Sequence, residues 1–343
     1  MTKAIRGIVA LFLGHRLAGL VDAPNAKATS ERSSTGLTKK LATKERTGLR
    51  FTIGFIMKDR AALAGMIILA AFLLFGLVEG IMQEFAGVLR HPDYSWLLLP
   101  SNPLVLNLRY SLAPPSITNL ASLFGYNYEG QSILSSMLYA TPKDALASVL
   151  VVCSAILIGL FVGIPAGYLG GWPDEILMRV TDAFLAFPFL VLAIAFSVIL
   201  GSGYTVVLVV LVIVWWPTYA RYFRAQAVAL KSRGFVEASK LSGMGSLRIM
   251  ISHIFPNAID PVIAQATLDF GTVIVAYSTL AFLGIGVSPG VPEWGSMTAE
   301  GLPFFPQGWW LSVVPGAVII IIVVAFTMVG DRIQDFVGGR MTY

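Results

Sequence analysis

The chain has few of the residue types that enzymes use for chemistry. Its 343 residues include one cysteine, Cys153, which excludes an intrachain disulfide framework and a thiol cluster for metal. The three histidines (His15, His91 and His253) lie far apart, and none opens an H-E-x-x-H helix. None of the nine lysines follows a glycine, so the chain has no Walker A loop for phosphate. We therefore predict no metal site, no bound cofactor and no catalytic residue in this chain.

Charge is scarce as well. Asp, Glu, Lys and Arg make up 13% of the residues, about half the share found in an ordinary globular domain. Hydrophobic residues make up 56%, and the mean hydropathy is +0.76. A chain with so much apolar surface needs lipid as its solvent, and we predict an integral membrane protein.

Long uncharged stretches predict about six membrane-spanning helices. A helix needs about 20 apolar residues to cross the hydrocarbon core. Uncharged stretches cover residues 61–78, 145–168, 183–220 and 311–329, and residues 261–288 hold one charge, Asp269. The stretch at 183–220 is divided into two spans at residues 201–203. The predicted fold class is therefore an all-α integral membrane protein with about six transmembrane helices.

Basic residues indicate how these spans are oriented. Residues 1–60 carry 12 of the 24 Lys and Arg, and all segments predicted on the same side as this tail carry 21 of them. Because basic loops are retained in the cytosol, we predict cytosolic N- and C-termini. The pattern is that of a membrane flank, so we expect contact with membrane lipid and no nucleic acid as a partner.

The chain divides into five predicted regions. Residues 1–50 form a cytosolic basic tail, as an interfacial helix or a disordered segment, with a cleaved signal peptide as the alternative. Residues 51–80 hold the first transmembrane helix, and residues 81–144 form a proline-rich extracytoplasmic loop or cap. Residues 145–330 form the membrane core, and residues 331–343 form a cytosolic tail.

Four glycines recur at every fourth position of the second span. They are Gly159, Gly163, Gly167 and Gly171. Glycines at this spacing leave a smooth groove along one helix face, where the backbone of a neighbouring helix can approach closely. The row predicts a tightly packed helical bundle.

One motif has the spacing of a hydrolase signature. Residues 286–290 (GVSPG) match the G-x-S-x-G pattern of a nucleophile elbow. The elbow needs a strand before the serine and an N–H directly after it, whereas Ser288 follows a predicted helix and Pro289 has no N–H. We therefore expect a turn at a helix end, and a membrane enzyme is the least favoured function class.

An inner loop at residues 221–260 is too long to be a mere connector. Phe235 to Ser242 form a helical run, and residues 243–245 (GMG) end it. A second run begins at Ser246 and closes at Pro256. Its apolar face consists of Leu247, Met250, Ile251 and Ile254, with Arg248 and Ser252 opposite. We predict a compact helix-turn-helix that lies against the inner membrane face.

Residues 235–239 read FVEAS, Gly243 follows Glu237 by six residues, and Pro256 follows it by nineteen. This pattern resembles the EAA loop of ABC importer permeases. Further segments resemble the dipeptide, oligopeptide and nickel branch of that family, and the likeness extends over residues 51–343. These segments are 58–60 (KDR), 166–179 (AGYLGGWPDEILMR), 187–193 (FPFLVLA), 280–286 (LAFLGIG) and 293–297 (EWGSM). Two places depart from the family pattern: Ser239 stands where alanine is usual, and residues 124–132 (FGYNYEGQS) replace the usual outer-loop sequence.

The resemblance implies a type I ABC importer permease fold and transport without catalysis by this chain. The implied partners are a second homologous permease subunit, two cytosolic ABC ATPase subunits that bind ATP and Mg, and an extracytoplasmic substrate-binding protein. The loop would couple the chain to the ATPase. Its expected site residues are Phe235, Glu237, Ala238, Ser239, Gly243, Met244, Gly245 and Pro256. The expected place is the inner or plasma membrane of a prokaryote, and the expected cargo is a peptide, an oligosaccharide or nickel.

The sequence allows two roles for each of two acidic side chains. Glu237 pairs with a basic group on the ATPase or caps its own helix. Asp269, the only charge deep in a span, has Gln265 and Thr272 on its helix face, and it lines the translocation pathway or forms a buried structural pair. A secondary active transporter is the alternative function, although such carriers often contain several intramembrane ionisable groups.

Overall fold

The computed structural model of the chain describes residues 59–89, 91, 95–201, 203–286 and 290–337. The predictions for the tail at residues 1–50 and for Ser288 lie outside this part. Its helices are α1 (Arg60–Leu89), α2 (Ile133–Leu169), α3 (Gly171–Leu185), α4 (Phe189–Leu200), α5 (Tyr204–Lys231), α6 (Gly234–Leu241), α7 (Ser246–Phe282), α8 (Trp294–Glu300) and α9 (Trp310–Val337).

Five of the described helices are long and apolar enough to cross a membrane. These are α1, α2, α5, α7 and α9, and a sixth span results if the bent pair α3 and α4 is counted as one. The prediction of an all-α membrane protein with about six spans is thereby confirmed.

The third predicted span is a bent pair of helices rather than one rod. α3 ends at Leu185, α4 begins at Phe189, and the two helices meet at 90°. Pro188 causes the break, because proline lacks an N–H and disfavours helical geometry in the preceding residue, Phe187. The 12 residues of α4 rise only about 18 Å, which is less than the hydrocarbon thickness of about 30 Å.

α1 is longer than its hydropathy indicated. It continues past Val78 to Leu89 although Glu79 interrupts the apolar run. Glu79 is fully buried, and the Gln83 side-chain amide donates hydrogen bonds to its carboxylate (3.2 Å) and to the Tyr139 carbonyl of α2 (3.0 Å). Polar partners inside the bundle therefore allow the helix to extend beyond the apolar segment.

α2 is also longer at its N-terminal end. It begins at Ile133, twelve residues before the predicted start at Ala145. The side chain of Ser132 caps this end by accepting a hydrogen bond from the Ser135 N–H (3.3 Å). The added turns include Asp144, which is completely buried.

The predicted inner loop is mostly helical, because α5 continues through Arg221 and Arg224 to Lys231. Two ion pairs with α3 stabilise this basic extension. Arg221 lies 2.6 Å from an Asp182 carboxylate oxygen, and Arg224 donates to both carboxylate oxygens of Asp174 at 2.6 and 2.8 Å. The charges that marked a loop in the sequence are thus neutralised against a neighbouring helix.

The second run of the loop does not end at Pro256, contrary to the prediction. Met250–Ile254 form a π turn within α7, in which the Phe255 N–H donates to the Met250 carbonyl. A wider turn moves the preceding carbonyl away from the proline ring and accommodates its missing N–H. The helix therefore continues to Phe282.

α2 and α5 form the most extensive helix pair of the described chain, and the glycine row makes their contact possible. Gly159, Gly163 and Gly167 face the backbone of α5, and a Cβ atom added at Gly159 would lie 2.5 Å from the Tyr219 Cβ. The prediction of close helix approach is confirmed for these three. It is wrong for Gly171, which belongs to α3 and has no such neighbour within 4 Å among the described residues.

Two apolar clusters hold the helices together. One joins α2, α5 and α7 and includes Val236 of α6, and the other joins α1, α2, α7 and α9 around Trp294. The Trp294 indole N–H donates to the Met137 carbonyl of α2 (3.0 Å). We call the end of the bundle at α6 the coupling end, and the end at α8 the cap end.

Candidate coupling site

α6 is a short amphipathic helix at the coupling end. Val236 is fully buried in the cluster of α2, α5 and α7, whereas Phe235, Glu237 and Ala238 are exposed. The Ser239 hydroxyl donates to the Phe235 carbonyl four residues back (2.8 Å), so it is satisfied within the helix. One buried anchor thus presents the remaining faces of the helix outward.

Gly243 makes the turn after α6. Its φ of +79° lies in the left-handed region, which favours glycine. The Gly243 N–H donates to the Lys240 carbonyl (3.0 Å) and the Met244 N–H to the Ser239 carbonyl (3.1 Å), which together form a Schellman motif. Gly245, with a φ of −66°, needs no such freedom.

Glu237 does not cap its helix. The N-cap residue is Arg233, and no side chain closes that end by a hydrogen bond. Glu237 forms no salt bridge within residues 59–337 as described, and it lies exposed in the first turn, where the helix dipole favours an acid. The carboxylate therefore projects from the surface.

The start of α7 buries a different face from the one predicted. Ile249 and Ile254 are buried, whereas Leu247 and Ile251 are 67% and 60% exposed. The prediction of one apolar face through Leu247, Met250, Ile251 and Ile254 is therefore wrong. The π turn contributes to this, because residues five apart lie on one face of such a turn and Ile249 and Ile254 are therefore buried together.

Large apolar side chains are exposed on both sides of the turn between α6 and α7. Phe235, Leu241, Leu247 and Ile251 are all exposed, and Leu241 is 90% accessible. Pro256 is exposed as well. A concentration of such side chains on a short segment indicates a surface that another molecule covers.

Tyr168 connects the coupling end of α2 to α5 and α6. The Lys240 ammonium of α6 lies 5.4 Å from the centre of its ring, and that of Lys231 in α5 lies 5.9 Å away. The Lys231 ammonium also reaches the Leu169 carbonyl at the C-terminus of α2 (3.5 Å). The distances of the two ammonium groups from the Tyr168 ring are in the range of cation–π attraction. Sequence reasoning missed these residues because they meet only in the folded chain.

The structure brings together two of the three predicted pathway residues. The Gln265 side-chain amide donates to the Asp269 carboxylate (3.0 Å), and Asp269 is 8% exposed with Tyr219 of α5 facing it. Thr272 is exposed and donates to the Leu268 carbonyl of its own helix (3.3 Å). The contact between Gln265 and Asp269 agrees with the buried hydrogen-bonded pair that we considered, and pathway lining by Asp269 stays a prediction.

Comparison with known proteins identifies the family. Residues 155–343 match the family model described as "Binding-protein-dependent transport system inner membrane component". A dipeptide transport system permease protein of Alkalihalophilus pseudofirmus is 33% identical over 83% of this chain and 88% of its own length. The corresponding dipeptide permease of Escherichia coli is 36% identical over 76% of this chain and 86% of its own.

A solved structure of the MetNI methionine ABC transporter, in an inward-facing conformation, is also similar. It is 18% identical, covers 59% of this chain and 96% of its own, and has a TM-score of 0.47. The match to the family model and the extended identity to the dipeptide permeases confirm the resemblance seen in the sequence. The chain belongs to the binding-protein-dependent transport system inner membrane components, and it is a permease component of an ABC importer.

Proposed function

We propose that this chain is the permease subunit of an ATP-driven importer of short peptides, and that α6 with its following turn receives the motion of a cytosolic ATPase subunit. The observation that carries the proposal is the anchored and exposed coupling end. Val236 fastens α6 to the core, while Phe235, Glu237 and Leu241 project outward.

The connections of α6 support a mechanical role. A push on α6 reaches α2 through the Lys240 contact with Tyr168, and it reaches α5 through the buried Val236. The Schellman turn at Gly243 leads directly into α7, so three spans meet at this one element. Packed helices move as units rather than deforming continuously, which allows a local displacement to reach the far end of the bundle.

The names of the relatives support peptides as the cargo. The Alkalihalophilus and Escherichia coli proteins are named for dipeptide transport, and a Pseudomonas aeruginosa relative, 34% identical, is named for di- and tripeptides. The sequence left oligosaccharide and nickel open, and neither gains support from these relatives.

The partners follow from the family. As a component of a binding-protein-dependent system, the chain would work with a second permease subunit, two ATPase subunits that hold ATP and Mg, and a binding protein at the cap end. The distribution of basic residues supports cytosolic termini and therefore a cytosolic coupling end in a prokaryotic cell membrane.

The experiment is to measure ATP hydrolysis and peptide uptake in vesicles that contain the complete importer. Gly243→Pro removes both the N–H and the left-handed φ of the turn, and Glu237→Lys inverts an exposed charge. We expect assembled complexes in which peptide uptake falls at least about tenfold while hydrolysis loses its dependence on peptide.

Gly87→Ala is the control. Gly87 lies in α1, outside the coupling loop, and would place a Cβ atom in open space, so uptake should stay normal. Normal uptake in the Gly243→Pro and Glu237→Lys variants would disprove the coupling role. Uptake that persists without ATP but stops when ion gradients collapse would disprove the proposed energy source.

A further inference from the structure

Two carboxyl groups meet inside the protein near the cap end. Asp144 lies in the N-terminal part of α2 and is 0% exposed, and Glu293 lies just before α8 and is 1% exposed. The two side chains are within hydrogen-bonding reach of each other, although 149 residues separate them in sequence. They connect α2 to the segment between α7 and α8.

The two carboxyl groups lack hydrogen-bond donors. One Glu293 carboxylate oxygen accepts the Ser296 N–H (2.8 Å) and caps α8, but its other oxygen and both oxygens of Asp144 have no hydrogen-bond partner in the part of the chain that the structure describes. Two ionised carboxylates can only accept, so neither can satisfy the other. A proton between them would provide a donor for at least one of the buried oxygens that otherwise have no partner.

The surrounding charges do not compensate two negative charges. Lys143 adjoins Asp144 in α2, and Glu300 of α8 adds a further acid on the side of Glu293. Tyr204 of α5 and Tyr277 of α7 also face the pair, and both are neutral hydroxyls. No Lys or Arg forms a salt bridge with either carboxyl within the described residues.

We propose that Asp144 and Glu293 together bind one proton, and that the resulting acid–carboxylate hydrogen bond holds α8 to α2. Two like charges in contact and away from water cannot both remain ionised, which is the principle of carboxyl pairs that share a proton. Loss of the proton leaves two buried carboxylates that repel each other, and α8 detaches from the bundle.

The pH range follows from Glu293. Burial raises the pKa of its carboxyl above the ordinary value of 4.5. When α8 is detached, the carboxyl is in water and has its ordinary pKa, so the attached state retains a proton that the detached state releases. Attachment is therefore complete below pH 4.5 and weakens as the pH rises above that value, until the attached pair has lost its proton as well.

The test is hydrogen–deuterium exchange of the full-length chain in lipid nanodiscs, with observed rates divided by the intrinsic rate at each pH. In the wild type, opening of the amides of α8 should increase by about tenfold per pH unit between pH 5 and 7. Asp144→Asn supplies a permanent N–H donor to Glu293, so its profile should be flat. Glu84→Gln, a change at an exposed acid of α1, should keep the wild-type slope.

Three results would overturn the proposal. The first is a flat profile in the wild type, which needs no variant and so does not depend on whether Asp144→Asn folds. The second is an unchanged slope in Asp144→Asn, which would place the titrating group elsewhere. The third is protection that follows the Na⁺ concentration at fixed pH, because the pair would then hold a metal cation instead of a proton.

Discussion

Replacing Gly163 by alanine should loosen the contact between α2 and α5. The added Cβ atom would lie 2.8 Å from the Phe223 Cβ and 2.9 Å from the Arg224 nitrogen, and closer still to the Ala220 carbonyl oxygen. Ordinary carbon contacts are about 3.5–4.0 Å, and two of these three atoms belong to the helix backbone of α5. The helices therefore have to separate by roughly 1 Å.

The magnitude is the balance of two effects. Adding a methyl group to a packed contact costs about 1–3 kcal/mol, and a gap of about 1 Å loses up to about half of the dispersion energy of the atoms concerned. Replacing glycine by alanine in a helix stabilises the helix by up to about 1 kcal/mol. We expect a net loss of about 1–2 kcal/mol in the free energy of unfolding.

Gly316→Ala in α9 is the matched control. A Cβ atom there meets only the Thr298 Cγ2 at 4.0 Å, so the variant keeps the gain in helix propensity without the clash. Both variants are unfolded in mixed micelles with a denaturing detergent and followed by tryptophan fluorescence. If Gly163→Ala is as stable as Gly316→Ala, close approach of the two helices does not depend on the glycine row.

Three further predictions concern Tyr168, the pair of Gln265 and Asp269, and the ion pair of Asp174 and Arg224. Tyr168→Leu should reduce the peptide imported per ATP hydrolysed, because each cation–π contact with the ring contributes about 0.5–1 kcal/mol. Tyr168→Phe keeps the ring and should not reduce it. The same ratio of peptide to ATP in both variants would exclude a role for the ring. Asp269→Asn should leave peptide selection and uptake unchanged, since an amide can still pair with Gln265, and altered selection would favour the pathway role. Asp174→Asn should lower the unfolding free energy by less than about 1 kcal/mol, as measured by detergent unfolding, because the side chain of its partner Arg224 is 41% exposed; a much larger loss would contradict this.

The sequence predicted the membrane fold because lipid imposes a simple requirement. A spanning helix has to be apolar over about 20 residues, and this pattern is readable without any knowledge of neighbouring elements. Local chemistry also identified the turn at Gly243, since a left-handed residue after a helix favours glycine. The glycines at 159, 163 and 167 likewise indicated a close helix contact before their partner was known.

Tertiary structure decided what depends on partners distant in sequence. α1 extends past Glu79 because Gln83 shares a buried hydrogen-bond network with it, and a hydropathy pattern cannot show that partner. The rotation of the apolar face in α7 depends on a π turn, which hydrophobic spacing does not reveal. The pairing of Asp144 with Glu293 arises only when α2 and α8 pack together. Lipid determines which segments are helices, whereas packing determines where they end, how they face one another and which polar groups meet.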